Sequence, residues 1–273
     1  MSLSDQFPGR LPRSVNNRFP FRLSVPSFIY PASWVPNIRL LGPYVDEIEI
    51  LIFDSARKTD LPTVEDIRQM AALADEFDLR YNIHLPSDIS PGSPRADCRQ
   101  RAVEVVIEVV ALTELLNPTA RILHLPSDIL ATDPAEIYSW RQRIEESVDT
   151  IIKSGIPGRS LSIENLNYPM EWIRPVIEAF DLSVCLDVGH LLDRGIDWHS
   201  EYRKWEQRIN MIHLHGVRNG RDHCALDVLS PSIFSPIMAA LTAFTGTVSV
   251  EVFSFEALKR SLAYLEKYRP GSV

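Results

Sequence analysis

The hexapeptide His-Leu-Pro-Ser-Asp-Ile stands twice in this chain, at His84–Ile89 and again at His124–Ile129, each time directly after a short apolar run. A histidine at such a point can bind a metal through a ring nitrogen or move a proton near neutral pH. The proline two residues on, Pro86 or Pro126, stops a β-ladder there because it has no N–H to donate. Comparable places are taken by Glu164, Asp187, His190, His213, His215, His223 and Glu251. Imidazoles mixed with carboxylates suit zinc, manganese, iron or cobalt better than magnesium or calcium. Carboxylates crowded in one cleft also need cations, since otherwise each raises the pKa of the next. One buried histidine is as well explained by a hydrogen bond in the core. Six of the seven, all but His199, end a strand-like run or follow one closely, which points to a divalent transition-metal centre, with zinc as the first expectation.

The elements that must position these groups alternate in period. Strand-like runs occur at Phe21–Val25, Val45–Phe53, Arg80–His84, Ala120–Leu125, Leu161–Asn165, Leu182–Asp187, Ile209–His215 and Thr247–Phe253. Between them, helical spacing marks Val64–Phe77, Arg99–Leu116, Pro134–Ser154, Met170–Phe180, Ile233–Thr245 and Phe255–Tyr268. Thr63 with Asp66 reads as a capping box, and Asp133 before Pro134 as a cap and first turn. Strands and helices alternating through eight runs predict one α/β domain, a (β/α)₈ TIM barrel. In such a barrel the outward side chains of each strand lie under helices, so charge belongs on the inward parity. Ile48, Ile50 and Ile52 alternate with Glu47 and Glu49, Leu123 and Leu125 flank His124, Ile163 sits before Glu164, and Val250 and Val252 flank Glu251. The ionisable residues tested in this way share the inner face and gather near the carboxyl ends of the strands, where barrel enzymes carry their sites.

The remaining features exclude several function classes. The 273 residues are 45% hydrophobic, enough for one large core, and residues 1–18 are rich in Pro, Arg, Ser and Asn without periodicity, so they are read as a flexible arm ahead of a barrel at 19–273. No apolar run reaches bilayer length, no secretion signal opens the chain, and three scattered cysteines suit a reducing cytoplasm. A net charge of −8 leaves no broad basic field, which argues against a nucleic-acid partner, as the lack of a bilayer-length run does against a membrane. The five lysines lie off the strand ends, which disfavours Schiff-base chemistry.

From about Phe21 onward, the ordered series His84, His124, Glu164, Asp187, His190, His213, Glu251 resembles the endonuclease IV and xylose isomerase-like barrel superfamily. Within it, Glu164–Pro169, Leu182–Leu192 and His213–Val217 are most similar to the cobamide-remodelling phosphodiesterases. Those enzymes hydrolyse the phosphoester in the nucleotide loop of cobalamin-type corrinoids and release cobinamide and an α-ribotide. The resemblance implies that His84, His124 and Glu164 hold one metal, and that Glu164, Asp187, His213 and Glu251 hold a second, with Glu164 bridging. It also matches His190 and His223 to ligands of a third, but where an aspartate is expected two residues before the last histidine this sequence has Arg221. Asp222, Asp227 or His215 would have to take that place, or His190 and His223 would serve the substrate.

Paired cations lower the pKa of bound water and stabilise the attacking and leaving oxygens of an in-line displacement at phosphorus. Glu164, Glu251, His215 and Arg221 are accordingly the candidate catalytic residues. Arg218 and Arg221 would neutralise non-bridging oxygens, or else are solvated surface arginines. Glu49 and Asp54 are candidates to orient the histidines, with Arg22 as an alternative partner for Glu49. Asn165, Tyr168 and Trp34, with Tyr30 and Trp198, could give a flat corrinoid its polar and aromatic contacts. The rival readings are a one-metal sugar isomerase or epimerase, an abasic-site endonuclease, and a non-catalytic corrinoid or metal carrier.

Overall fold

The computed structural model describes residues 9–127, 129 and 133–269. Eight parallel strands close into a barrel. They are β1 (Arg22–Pro26), β2 (Glu47–Leu51), β3 (Arg80–His84), β4 (Arg121–Leu123), β5 (Leu161–Glu164), β6 (Ser183–Asp187), β7 (Ile209–Leu214) and, after a small hairpin, β10 (Thr247–Val250), which pairs back onto β1. The principal covering helices are α1 (Trp34–Leu41), α2 (Val64–Phe77), α3 (Ala96–Thr113), α4 (Pro134–Lys153), α5 (Arg174–Ala179), α6 (Val188–Asp193), α7 (Trp198–Trp205), α8 (Pro231–Leu241) and α9 (Phe255–Leu265). The expected capping box is present, with the Thr63 hydroxyl accepting from Asp66 N at 3.1 Å and Thr63 N donating to Asp66 Oδ2 at 2.8 Å.

Parity explains how the barrel is filled. Ile48, Ile50, Ile83, Ile163, Val184, Leu186, Ile212, Leu214, Val248 and Val250 point outward and are buried under the helices. The lumen is layered. At its amino-terminal end Glu47 accepts from Asn82 Nδ2 (2.7 Å), the Thr119 hydroxyl (2.6 Å), the Thr247 hydroxyl (3.1 Å) and Arg22 Nε (3.2 Å). Above it Ile122, Cys185 and Met211 form a separate apolar layer, and the ionisable ends of the strands lie above that.

Three expectations need correction. Arg121 breaks the parity rule: it lies on the outer face of β4, buried, and is tolerated there because Glu114 accepts from its guanidinium at 2.8 Å. Asp46 also has outer parity, but sits just before the amino-terminal end of β2, where the backbone N–H groups of Asn17 and Leu23 donate to it. Of the stretch 1–18, residues 1–8 lie outside the described residues, whereas Leu11 and Val15 are buried in the core and Val15 N donates to Tyr44 O at 2.8 Å. Composition misses these because two apolar side chains in a polar stretch carry no periodicity.

The loop after β7 is also more ordered than a plain connection. Gly216–Arg218 (β8) and Arg221–Cys224 (β9) pair antiparallel, turned by Asn219 and Gly220, both at positive φ (55° and 68°). Asn-Gly is the favoured pair for such a hairpin because both residues tolerate the left-handed region. No helix among the described residues is long and apolar enough to cross a membrane.

Candidate metal centre at the carboxyl-terminal mouth

Strand ends deliver the candidate ligands. His84 ends β3, Glu164 ends β5 and Asp187 ends β6; His213 lies on β7, and His124, His215 and Glu251 stand just past β4, β7 and β10. All but His124 are buried, and His190 and His223 are half-buried at the edge. Their backbones are held by devices of this sequence. Asp187 caps α6, accepting from His190 N at 2.7 Å, so one carboxylate also starts the helix that carries the next histidine. Asn165 clamps Asp187 with both ends of its amide, donating to its carbonyl (3.0 Å) and accepting from its N–H (2.6 Å). The His84 Nδ1 lies 2.9 Å from Leu85 O, which leaves Nε2 for the cluster, the usual arrangement of a metal-binding imidazole.

Glu164 Oε2 is the hub, 2.9 Å from His124 Nε2, 3.5 Å from His84 Nε2 and 3.6 Å from His213 Nδ1. His213 Nδ1 faces two further carboxylates, Glu251 at 3.2 Å and Asp187 at 3.9 Å, while its Nε2 lies 3.1 Å from Glu49 Oε1. Both His213 nitrogens, Asp187 Oδ2, His215 Nε2 and Glu49 Oε1 are nonetheless without a hydrogen-bond partner among the described residues. A buried polar atom left unmade costs roughly 1–3 kcal/mol. Several of them converging on one space fit cations.

The donors group into His84, His124 and Glu164; Glu164, Asp187 and His190; Asp187, His215 and Glu251; Glu164, Cys185 and His213; and His190, His215 and His223. The first trio is the one the resemblance implies for one metal. The four residues implied for a second lie around His213 Nδ1. In the outer group the third member is His215, while Arg221 is exposed on β9. Asp222 backs His223 instead (3.2 Å to Nδ1), and Asp227 is engaged by Arg260. His223 adopts a left-handed φ of 49°, the kind of local strain that clusters at functional sites. Gly189 makes room for the group: a Cβ there would lie 2.2 Å from the His215 ring.

Charge follows the packing. Burial alone would raise the Glu164 carboxyl, but the His124 and His213 imidazoles outweigh it and hold it well below the usual carboxylate range. Glu251 is held low in the same way, against its own burial, by His213 and His223. Burial would lower His223, yet Glu251 and Asp222 push it up to about 9. In the metal-free chain the carboxylates of Glu164 and Glu251 thus favour their anionic form, and His84, His213, His215 and His223 their protonated form.

Other expected site residues stand elsewhere. Tyr168 is buried with its ring packed between Trp140 (4.8 Å between ring centroids) and Trp172 (5.9 Å), while its hydroxyl, without a hydrogen-bond partner among the described residues, is pushed up in pKa by burial and by the Glu164 carboxylate. Asn165 is buried, with Nδ2 and Oδ1 both hydrogen-bonded to the Asp187 backbone. Tyr30 donates to Gly9 O and stacks on Phe255, away from the cluster. Asp54 is exposed and accepts from Ala56 N, whereas Glu49 sits beside His213 and Arg22 pairs with Glu47. Trp34 is half-buried with its Nε1 donating to Leu51 O (2.9 Å), and it lines a cavity of about 600 Å³ with Phe28 and Phe53. Arg218 and Arg221 face each other across the hairpin, both exposed. Sequence reasoning misses Cys185, although it shares the inward parity of Asp187. It also misses the exposed Phe28, Phe53 and Phe253, which follow strands 1, 2 and 8 of the barrel.

Comparison with known proteins agrees with this architecture. The closed barrel superposes on a D-tagatose 3-epimerase-like protein with a TM-score of 0.74 (18% identity, 91% of this chain and 97% of that one). Endonuclease IV from Thermus thermophilus gives 0.65 (17% identity, 90% and 99%). In sequence, the chain is 24% identical over 157 residues to a probable endonuclease 4 of Ureaplasma urealyticum serovar 10, a match that spans about half (51%) of each protein. A family model described as xylose isomerase-like TIM barrel matches residues 41–268, and the chain belongs to that family.

Proposed function

We propose that this protein is a metal-dependent phosphodiesterase that hydrolyses the nucleotide-loop phosphoester of cobamides to cobinamide and an α-ribotide. The observation that carries this reading is the position of Glu164: one carboxylate oxygen within 3.6 Å of imidazoles from three different strand ends, shared between the His84–His124 group and the His213 group. A hub of that kind would serve two cations side by side, a clamp suited to in-line displacement at phosphorus. His84, His124 and Glu164 would hold one ion, Glu164, Asp187, His213 and Glu251 a second, and His190, His215 and His223 a further one, with zinc the leading candidate. Bound there, such ions supply a water of lowered pKa and positive charge for the phosphoryl oxygens.

The chain's own groups do the rest. Glu49, 3.1 Å from His213 Nε2, is placed to orient that ring, and the Leu85 carbonyl fixes that of His84. The exposed guanidinium groups of Arg218 and Arg221 pair with the two non-bridging oxygens of the diester. A second reading, a sugar epimerase with one ion among Glu164, Asp187, His213 and Glu251, is favoured by the contacts of His213 Nδ1 with all three carboxylates. It leaves the His84–His124 pair unexplained.

Incubation with a cobamide, followed by absorption and mass spectra for cobinamide, tests the proposal. Turnover of an abasic oligonucleotide or a ketose, with the cobamide untouched, would overturn it.

A further inference from the structure

Phe28, Phe53 and Phe253 are 48%, 49% and 39% exposed, and they are gathered in one place. Phe53 meets Phe28 edge to face at 5.5 Å and Phe253 at 6.3 Å, although the three come from loops after three different strands. Scattered single apolar residues on a surface need no explanation, but a contiguous aromatic patch marks a binding site. This patch is continuous with the metal centre: the Phe253 ring lies 4.9 Å from the His223 ring, which stacks on His215 at 4.3 Å.

The patch is also held in place. The Ser87 hydroxyl donates to Phe53 O at 3.0 Å, and Asp88 accepts from Ser55 N (2.9 Å) and the Ser55 hydroxyl (3.1 Å). The Ser-Asp half of the first hexapeptide therefore pins the loop that presents Phe53. Its histidine faces the metal centre from the other end of the same six residues. In the second copy Asp128 lies outside the described residues.

We infer that Phe28, Phe53 and Phe253 form the ledge on which the flat, largely apolar macrocycle of the substrate rests while its phosphodiester reaches the metal centre, an inference that builds on the phosphodiesterase reading. A single sugar ring can lay its C–H face on one phenyl ring but is too small to cover three. A single heteroaromatic base covers one of them. A macrocycle spans the group and extends over the adjoining cavity lined by Trp34. The ledge determines affinity for the large product and substrate, not the chemical step.

The test is equilibrium dialysis of the full chain, metal-loaded, against cobinamide, followed by the cobinamide's visible absorbance. Phe53→Ala should weaken binding roughly tenfold or more, the equivalent of one phenyl ring's burial. Phe53→Leu should recover part of the loss, and Tyr138→Ala, an exposed aromatic on α4, should change nothing. Since Phe53 is half exposed, unchanged circular dichroism is expected, and cobamide hydrolysis should show a raised KM with kcat held. Wild-type protein that binds the α-ribotide but not cobinamide, or a Phe53→Ala protein that binds cobinamide as well as wild type, overturns the ledge even if cobamide is hydrolysed. Loss of cobinamide binding in Phe53→Ala without any cobamide turnover by wild type upholds the ledge and removes the phosphodiesterase reading.

Discussion

Gly189→Ala isolates one contact. Gly189 lies in α6 without a positive φ, so alanine fits the backbone and by helix propensity alone would add up to about 1 kcal/mol of stability. Its Cβ, however, would lie 2.2 Å from His215 Cε1 and 2.3 Å from Nε2, against ordinary contact at 3.4 Å or more. The ring would have to retreat by about 1.2 Å, the difference between 2.2 and 3.4 Å, and His215 is fully buried and stacked on His223. Overpacking of that kind costs about 1–3 kcal/mol, enough to reverse the propensity gain. Metal–ligand distances tolerate only about 0.2 Å, so the His190–His215–His223 group should lose its ion while the others keep theirs. Atomic emission on protein dialysed against limiting zinc should show a lower metal content, and thermal unfolding a lower Tm. Gly189→Ala combined with His215→Ala should restore the Tm without restoring the ion. A single variant with wild-type Tm and full metal content would refute the reasoning.

Glu164→Gln should abolish turnover and reduce bound metal at both groups it joins, with circular dichroism unchanged; an unfolded variant would remove the inference. Asn165→Ala leaves the buried N–H of Asp187 unmade, while its carbonyl keeps the first bond of α6, so it should lower stability by about 1–3 kcal/mol in denaturant unfolding, beyond a surface substitution. Because His223 in the metal-free chain stays protonated up to about pH 9, metal binding to its group must expel a proton at neutral pH. Zinc titration in weak buffer should therefore release acid, and affinity should rise with pH towards 9; uptake without proton release would contradict the charge assignment. Arg218→Ala and Arg221→Ala should each reduce kcat/KM on a phosphodiester roughly tenfold with unchanged Tm, since both are exposed. Unaltered kinetics would return them to the class of solvated surface arginines.

Strand parity makes much of the site legible in the amino-acid order. A parallel strand is buried on both faces, so Glu164, Asp187 and His213 can only point into the lumen once the strands are recognised. Arg121 escapes the rule because a nearby carboxylate, Glu114, compensates its burial, and no one-dimensional pattern announces such a pair. The hairpin that carries His223 does leave a signal, Asn219-Gly220, which is easily read as mere loop. Tyr168 and Asn165 are legible as residues near the mouth but not as packing and clamp, because that depends on which neighbours β5, β6 and α4 bring to them.

By itself, the amino-acid order determined the class of fold and most of the inward residues, and its imidazoles and carboxylates set the expectation of a divalent cation, since period and donor chemistry are local properties of the chain. Which donors share one space was decided only in three dimensions. A shift of register between Val184 and Cys185 sets Asp187 beside His213, and His215, not Arg221, completes the outer group because Gly189 leaves room for its ring. The aromatic ledge is likewise tertiary: Phe28, Phe53 and Phe253 are brought together by barrel closure, in which the last strand pairs with the first, a contact between residues too far apart in the chain for any local pattern to encode.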